Sequence, residues 1–281
     1  MILVDSIAAL KDQIRQWKEE GLTIGLVPTM GFFHEGHLAL MRKAQSRCHK
    51  TIATIFVNPR QFGPHEDLQH YPRDFEGDVA KARQQGVDLL FSPKAEEMYP
   101  QEYQTSVSVA RLSQGLCGAS RPGHFDGVAT VVAKLFNLVE PNLAVFGQKD
   151  YQQLALLRQM NTDLHFGVEI IAHPIVREED GLAMSSRNKY LTEQQRRNAV
   201  CLYEALQHAA GRIAKASSLP AAVLAAEVER ILRDVEDCEI EYIAIVDASS
   251  LQAKMTAERG DVVALAACFG GRVRLIDNIS L

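Results

Sequence analysis

Apolar positions recur along this chain with two alternating periods. Leu10, Ile14 and Trp17 fall at helical spacing behind Asp5 or Ser6, either of which can cap a helix, and Gly21 ends the pattern. Thr23 to Val27 is a short apolar run, the mark of a strand buried on both faces. Leu38 to Ala44 then reads as helix, and Thr51 to Val57, rich in β-branched residues, as the next strand. A polar loop with three prolines spans Asn58 to Arg73. Phe75 to Gln85 predicts a helix and Asp88 to Phe91 a strand. Val128, Val131, Val132, Leu135, Phe136 and Val139 trace one face of a helix, because the stretch is too long for a typical strand. Leu143 to Phe146 (strand), Tyr151 to Met160 (helix) and Val168 to Ile171 (strand) complete the series. Such alternation implies an α/β domain over residues 1–175, with a mostly parallel sheet covered on both faces. Beyond about residue 176 the pattern changes. Thr192 and Pro220 open two longer helical stretches, and Glu239 to Val246, Val262 to Cys268 and Arg272 to Ile276 read as strands at hairpin-like spacing, predicting a smaller α+β domain over 176–281.

Composition narrows the function. The formal charge is −5 and no basic arm is present, which argues against a tight nucleic-acid binder. Cys48, Cys117, Cys201, Cys238 and Cys268 are far apart, so neither a disulfide framework nor a zinc knuckle fits and the thiols suit a reducing compartment. The start of the chain lacks the pattern of a signal peptide, and no apolar run reaches the roughly 20 residues of a membrane span. A cytoplasmic protein with no membrane partner is expected.

Three segments carry polar chemistry where open α/β sheets bind ligands. Pro28 to His37 lies between a strand and a helix, and its His34 and His37 share one face of the first helical turn, where imidazoles can donate to phosphate oxygens. Gly36 lets a nucleotide approach the backbone closely. A zinc-protease helix would need its histidines four apart, so that reading fails. Met184-Ser185-Ser186-Arg187 offers two hydroxyls and a guanidinium, a set that suits a triphosphate. Phe146 to Gln153 again follows a strand, where Lys149 can bring a positive charge to phosphates and Asp150 can cap a helix or help hold Mg²⁺. Taken singly, each segment reads about as well as a capped helix or surface loop. Together, the His-x-Gly-His and Met-Ser-Ser-Arg loops are similar to the HIGH and KMSKS signatures of adenylyl-transferring α/β enzymes, with Ala183 standing where the latter has lysine.

The whole chain resembles the pantoate–β-alanine ligase (pantothenate synthetase) family. The resemblance runs through Val27-Pro28-Thr29-Met30-Gly31, His34-x-Gly36-His37, Phe56-Val57-Asn58-Pro59-x-Gln61-Phe62-Gly63, Tyr71-Pro72-Arg73, Arg121-Pro122-Gly123-His124-Phe125, Phe146 to Gln153 and Ser185-Ser186-Arg187-Asn188. It implies a Rossmann-like doubly wound domain and condensation of (R)-pantoate with β-alanine through a pantoyl adenylate, with ATP as substrate and Mg²⁺ beside it. It implies an ATP site of Met30, Gly31, Phe32, Phe33, His34, Glu35, Gly36, His37, Gly147, Gln148, Lys149, Asp150, Val176, Met184, Ser185, Ser186 and Arg187. Gln61 and Gln153 would hold pantoate, with Gln61 also beside β-alanine, and His37, His34, Lys149 and Arg187 would carry the catalysis. Glutamine amides suit pantoate's hydroxyls without trapping the carboxylate that must attack phosphorus. Met30, Phe56 and Phe62 are apolar neighbours for its gem-dimethyl group. Asp78 and Asp150 are the candidate Mg²⁺ ligands, the loop from Gln61 to Asp78 and the second domain are the candidate lids, and a homodimer is expected. Arg121 and His124 fit either a structural or a site role. An adenylyltransferase acting on a phosphate-bearing acceptor would share the histidines but would need a basic pocket that two glutamines do not supply.

Overall fold

A computed structural model describes residues 1–64 and 66–281. The chain forms two compact units. The first comprises Met1–Gln114, Gly118–Gln148 and Leu156–Pro174, and the second Gly115–Cys117, Lys149–Ala155 and Ile175–Leu281.

The first unit is built on six parallel strands: β1 (Ile2–Val4), β2 (Ile24–Val27), β3 (Lys50–Thr54), β4 (Leu89–Phe91), β5 (Leu143–Gly147) and β6 (Glu169–His173). Their order is β1-β4-β3-β2-β5-β6. From β2 the chain winds outward through β3 and β4 on one side, and β5 and β6 extend the other. β2 and β5 therefore meet at the switch point, where loops leave the carboxyl ends in opposite directions and open a crevice. The helices of this part of the chain are α1 (Ile7–Glu19), α2 (Glu35–Gln45), α3 (Phe75–Gln84), the short α4 (Ala95–Met98) and α5 (Cys117–Ser120), α6 (His124–Val139) and α7 (Tyr151–Asp163). Ser6 caps α1, and Leu10, Ile14 and Trp17 are its buried face, as the spacing predicts. Every residue of β2 is buried, which accounts for its unbroken apolar run.

Two details depart from the pattern. β1 is an edge strand of three mostly exposed residues, too short to leave a periodic signal. β3 stops at Thr54 rather than Val57, although the Ile55 N–H still bonds the Phe91 carbonyl at the end of β4 (2.9 Å) and the Phe56 N–H that of Thr29 (3.1 Å).

In the second unit the antiparallel sheet β11-β10-β8 joins β8 (Cys238–Val246), β10 (Val262–Phe269) and β11 (Val273–Ser280). α9 (Cys201–Ala216) and α10 (Ala221–Arg233) pack on it around Leu206, Leu224, Leu265 and Phe269, all fully buried. Burying each such side chain stabilises the fold by about 1.5–3 kcal/mol. The helix expected after Thr192 is divided. Thr192 caps α8 (Glu193–Asn198), and α9 begins afresh at Cys201 after bonds of the tighter 3₁₀ type at Ala199 and Val200. β7 (Ser218–Pro220) and β9 (Thr256–Glu258) form a small ribbon with no sequence signal. Among the described residues no helix is long and apolar enough to cross a membrane.

Candidate active site

The loop after β2 owes its shape to α3. Gly31 sits at φ +85°, and a Cβ there would stand 2.9 Å from both Asp78 Oδ2 and Ile55 Cγ2, so only glycine fits. Phe32 is also left-handed at φ +52°, a conformation that costs about 1–2 kcal/mol for a residue with a side chain. Asp78 offsets that cost: its two oxygens accept from the Phe32 and Phe33 N–H groups, each at 2.6 Å. Lys81 donates to the Phe33 carbonyl (2.8 Å). Burial pushes the Asp78 carboxyl up, against the pull of those N–H groups. Thr29 adds a bond from its hydroxyl to the Thr54 carbonyl and accepts from the Gly31 N–H (3.0 Å).

His34 caps α2 and His37 occupies its first turn, their rings 4.1 Å apart. His34 Nδ1 accepts from the Gly36 N–H (3.1 Å) and His37 Nδ1 from the His34 N–H (3.3 Å). An accepting Nδ1 leaves the neutral ring's proton on Nε2 in both residues. The N–H groups of residues 34 and 36 are thus committed to the two imidazoles. Glu35 forms an exposed ion pair with Arg42.

Gln61 lies on a 3₁₀ turn, Pro59–Gln61, capped by Asn58. Buried Asn58 donates to Gln61 Oε1 (3.1 Å) and to the Gly127 carbonyl (3.0 Å). Tyr99 donates its hydroxyl to Asn58 Oδ1 (2.9 Å), and burial pushes that phenol up, keeping its proton in place. Gln61 Nε2 reaches the Met30 sulfur, a weak acceptor, at 3.0 Å. The structure therefore brings Gln61 onto the loop that carries the histidines. Behind it, His124 Nδ1 lies 2.7 Å and Arg121 Nη2 3.4 Å from the Gln61 carbonyl, and Arg121 holds Glu66 through Nε (2.8 Å) and Nη2 (2.6 Å). Phe56 and Phe62 meet Tyr99 and Tyr71 respectively, at ring separations of 6.1 and 5.9 Å.

Gly147 ends β5 and Gln148 follows it, both in the first unit, whereas Lys149, Asp150 and Gln153 belong to the second. Burial pulls the Lys149 ammonium down, Asp150 and Asp277 pull it back up, and Arg187 adds to the depression. Residues 176–184 form a narrow hairpin, with the Met184 N–H on the Val176 carbonyl (3.0 Å) and Arg177 bridged to Ala183. Ser185 caps the turn Ser186–Tyr190, accepting from the Arg187 N–H at 3.2 Å, and Ser186 is buried. Asn188 ties that turn to Glu178 (2.9 Å) and to the Ala183 carbonyl (3.2 Å). Asn58, Tyr99 and Gly127 had no role assigned from sequence; Asn58 alone was inside a quoted motif.

The donor set does not form a metal cage. Among the described residues no three of His, Cys, Asp and Glu come together as metal ligands, and both Asp78 oxygens already hold backbone N–H groups. Asp150 is exposed at the start of α7 and suits an Mg²⁺ ion that keeps phosphate oxygens and waters as its other ligands.

A parallel sheet with paired imidazoles beside its switch point is the layout of an α/β enzyme that takes its ligand at the carboxyl ends of the strands. The profile of the pantoate-beta-alanine ligase family matches residues 2–280. The chain belongs to that family. It is 49% identical over 281 residues to a pantothenate synthetase of Desulfotalea psychrophila, covering 99% of this chain and 98% of the relative. With one from Caldicellulosiruptor saccharolyticus it shares 51% over 279 residues, covering 99% of each. The crystal structure of pantothenate synthetase from Thermus thermophilus superposes with a TM-score of 0.94 at 45% identity, covering 100% of this chain and 99% of that one. A pantoate-beta-alanine ligase from Francisella tularensis, complexed with beta-gamma ATP and beta-alanine, superposes with a TM-score of 0.81 at 32% identity, over 100% and 97% of the chains.

Proposed function

We infer that this chain condenses (R)-pantoate with β-alanine in two steps, each set by its own residues. The pantoate carboxylate attacks the α-phosphorus of ATP; the new C–O–P linkage is a pantoyl adenylate, and pyrophosphate leaves with the bonding electrons. The β-alanine amine then attacks the acyl carbon, a C–N bond forms, AMP departs and the amine loses a proton to solvent. The observation that carries this reading is the juxtaposition, within one unit, of the Gln61 amide with Met30 on the loop that holds His34 and His37. An amide that reads hydroxyls beside imidazoles that donate to phosphate is what adenylation of a hydroxy acid requires.

Met30 to His37, Gly147 to Asp150, Val176, Met184, Ser185, Ser186 and Arg187 serve ATP, and Gln61 and Gln153 serve pantoate. His37 and His34 donate through Nε2 to charge that builds on the phosphate, with Lys149 and Arg187 as the fixed cations. Pyrophosphate needs no proton to leave, so His37 acts as a charge stabiliser. Mg²⁺, when bound, neutralises the triphosphate, with Asp150 the carboxylate best placed for it. Gln61 serves pantoate and β-alanine in turn. The working protein is a cytoplasmic homodimer.

Incubation with ATP, Mg²⁺, pantoate and β-alanine should yield pantothenate and AMP by mass spectrometry. Exchange of labelled pyrophosphate into ATP should need pantoate but not β-alanine, and His37→Ala should slow it about 10²–10³-fold, the usual loss for one charge-stabilising donor. Exchange driven only by a phosphorylated acceptor would replace this reading.

A further inference from the structure

The last strand of the second unit carries two adjacent buried polar residues that the scheme above leaves unused, Asp277 (2% exposed) and Asn278 (6%). Neighbours on a strand face opposite sides of the sheet. Asp277 pairs with Leu265, which lies in the core beneath α9 and α10, and Asn278 pairs with Ala264, which lies in a smaller cluster with Tyr151 and Tyr242. One residue thus faces the hairpin of residues 176–184 and the other the segment that opens α7.

Each is bonded to what it faces. Asp277 accepts from both arms of the Arg177 guanidinium (2.6 and 2.9 Å). Arg177 Nη1 continues to the Gly181 carbonyl (3.0 Å), and its guanidinium lies over the Tyr203 ring, 4.5 Å from the centroid. Gly181, at φ +97°, presses on that same ring, and a Cβ there would come within 2.1 Å of it. The hairpin that presents Met184 to Arg187 is thereby clamped from inside. On the other face, Asn278 Nδ2 donates to the Lys149 carbonyl (3.0 Å). The Asn278 N–H donates back to Asp277 Oδ1 (2.8 Å), which couples the two anchors. A buried ion pair adds little to stability over an apolar replacement of similar volume, so a role in fixing geometry is the better account of its presence here.

We propose that Asp277 and Asn278 are positioning residues for adenylation, which set Lys149 and the Ser186–Arg187 turn from a single strand so that hydroxyl and cationic groups are held in register. This rests on the reaction assigned above. A misplacement of about 1 Å at a reacting centre costs up to 10²-fold in rate. Asn278→Ala removes the bond to the Lys149 carbonyl and should slow pantoate-dependent pyrophosphate exchange about tenfold. In a Lys149→Ala background the same change should alter the rate by less than about twofold, since groups that act as one unit are not additive. Asp277→Asn should behave likewise against Arg187→Ala, and if that variant fails to fold the Asn278 cycle decides alone. An unchanged rate in Asn278→Ala, or the same loss in both backgrounds, overturns the positioning role. A wild-type protein with no pantoate-dependent exchange overturns the assigned reaction instead.

Discussion

At the scale of single residues, the charges that brace this site titrate. Glu66 is pushed up by burial, but the hydrogen bonds and charge of Arg121 outweigh that and bring its carboxyl below the ordinary value. A depressed carboxyl stabilises the folded state at pH above its unfolded value, and the benefit is lost as pH falls through the folded one. Glu66→Gln should therefore destabilise the protein by about 1 kcal/mol at neutral pH. Urea titrations should show that gap closing as pH drops below about 4.3, the ordinary glutamate value. A gap independent of pH would mean that the carboxylate's charge contributes nothing. Residues of this kind were only half visible in the sequence. Arg121 and His124 could be read as site or scaffold, because their partner, the Gln61 carbonyl, lies on a turn far away in the chain. Asp78 stood with Asp150 as a candidate Mg²⁺ ligand; its bonds to two backbone N–H groups depend on where α3 packs and have no sequence signal.

At the scale of elements, the strong periods were readable and the close approaches were not. The face of α6 was legible from its apolar residues, but Gly127, in the first turn ahead of them, carried no reading. A Cβ at Gly127 would stand 2.3 Å from the Arg60 carbonyl oxygen and 2.6 Å from the Gln61 nitrogen. The backbone of α6 thus touches the backbone of the turn that aims Gln61. Gly127→Ala favours the helix by about 1 kcal/mol in propensity yet must displace that turn. We expect the KM for pantoate to rise about tenfold or more while ATP binding is retained, measured by steady-state kinetics and calorimetry. Equal losses for both substrates would point to general unfolding. The short β1 and the β7–β9 ribbon left no signal because they hold few residues and little buried surface.

At the scale of the whole molecule, motifs scattered from Pro28 to Asn188 made the family legible, since each marks a loop end that chemistry constrains more tightly than packing does. Nothing in the spacing of apolar residues says that Lys149–Ala155 folds with residues 175–281. With no cluster of metal ligands among the described residues, divalent ions should matter to turnover and not to the fold. Chelation should abolish pyrophosphate exchange and leave the melting temperature of the nucleotide-free protein within about 1 °C, whereas loss of a structural metal site would lower it by many degrees. Under the proposed function, the loop after β2 bears on every catalytic cycle. Asp78 holds Phe32 in its left-handed conformation and ties down the Phe33 N–H beside it. The entropy lost in shaping that loop is charged once, when the chain folds, and is not levied again at each encounter with ATP.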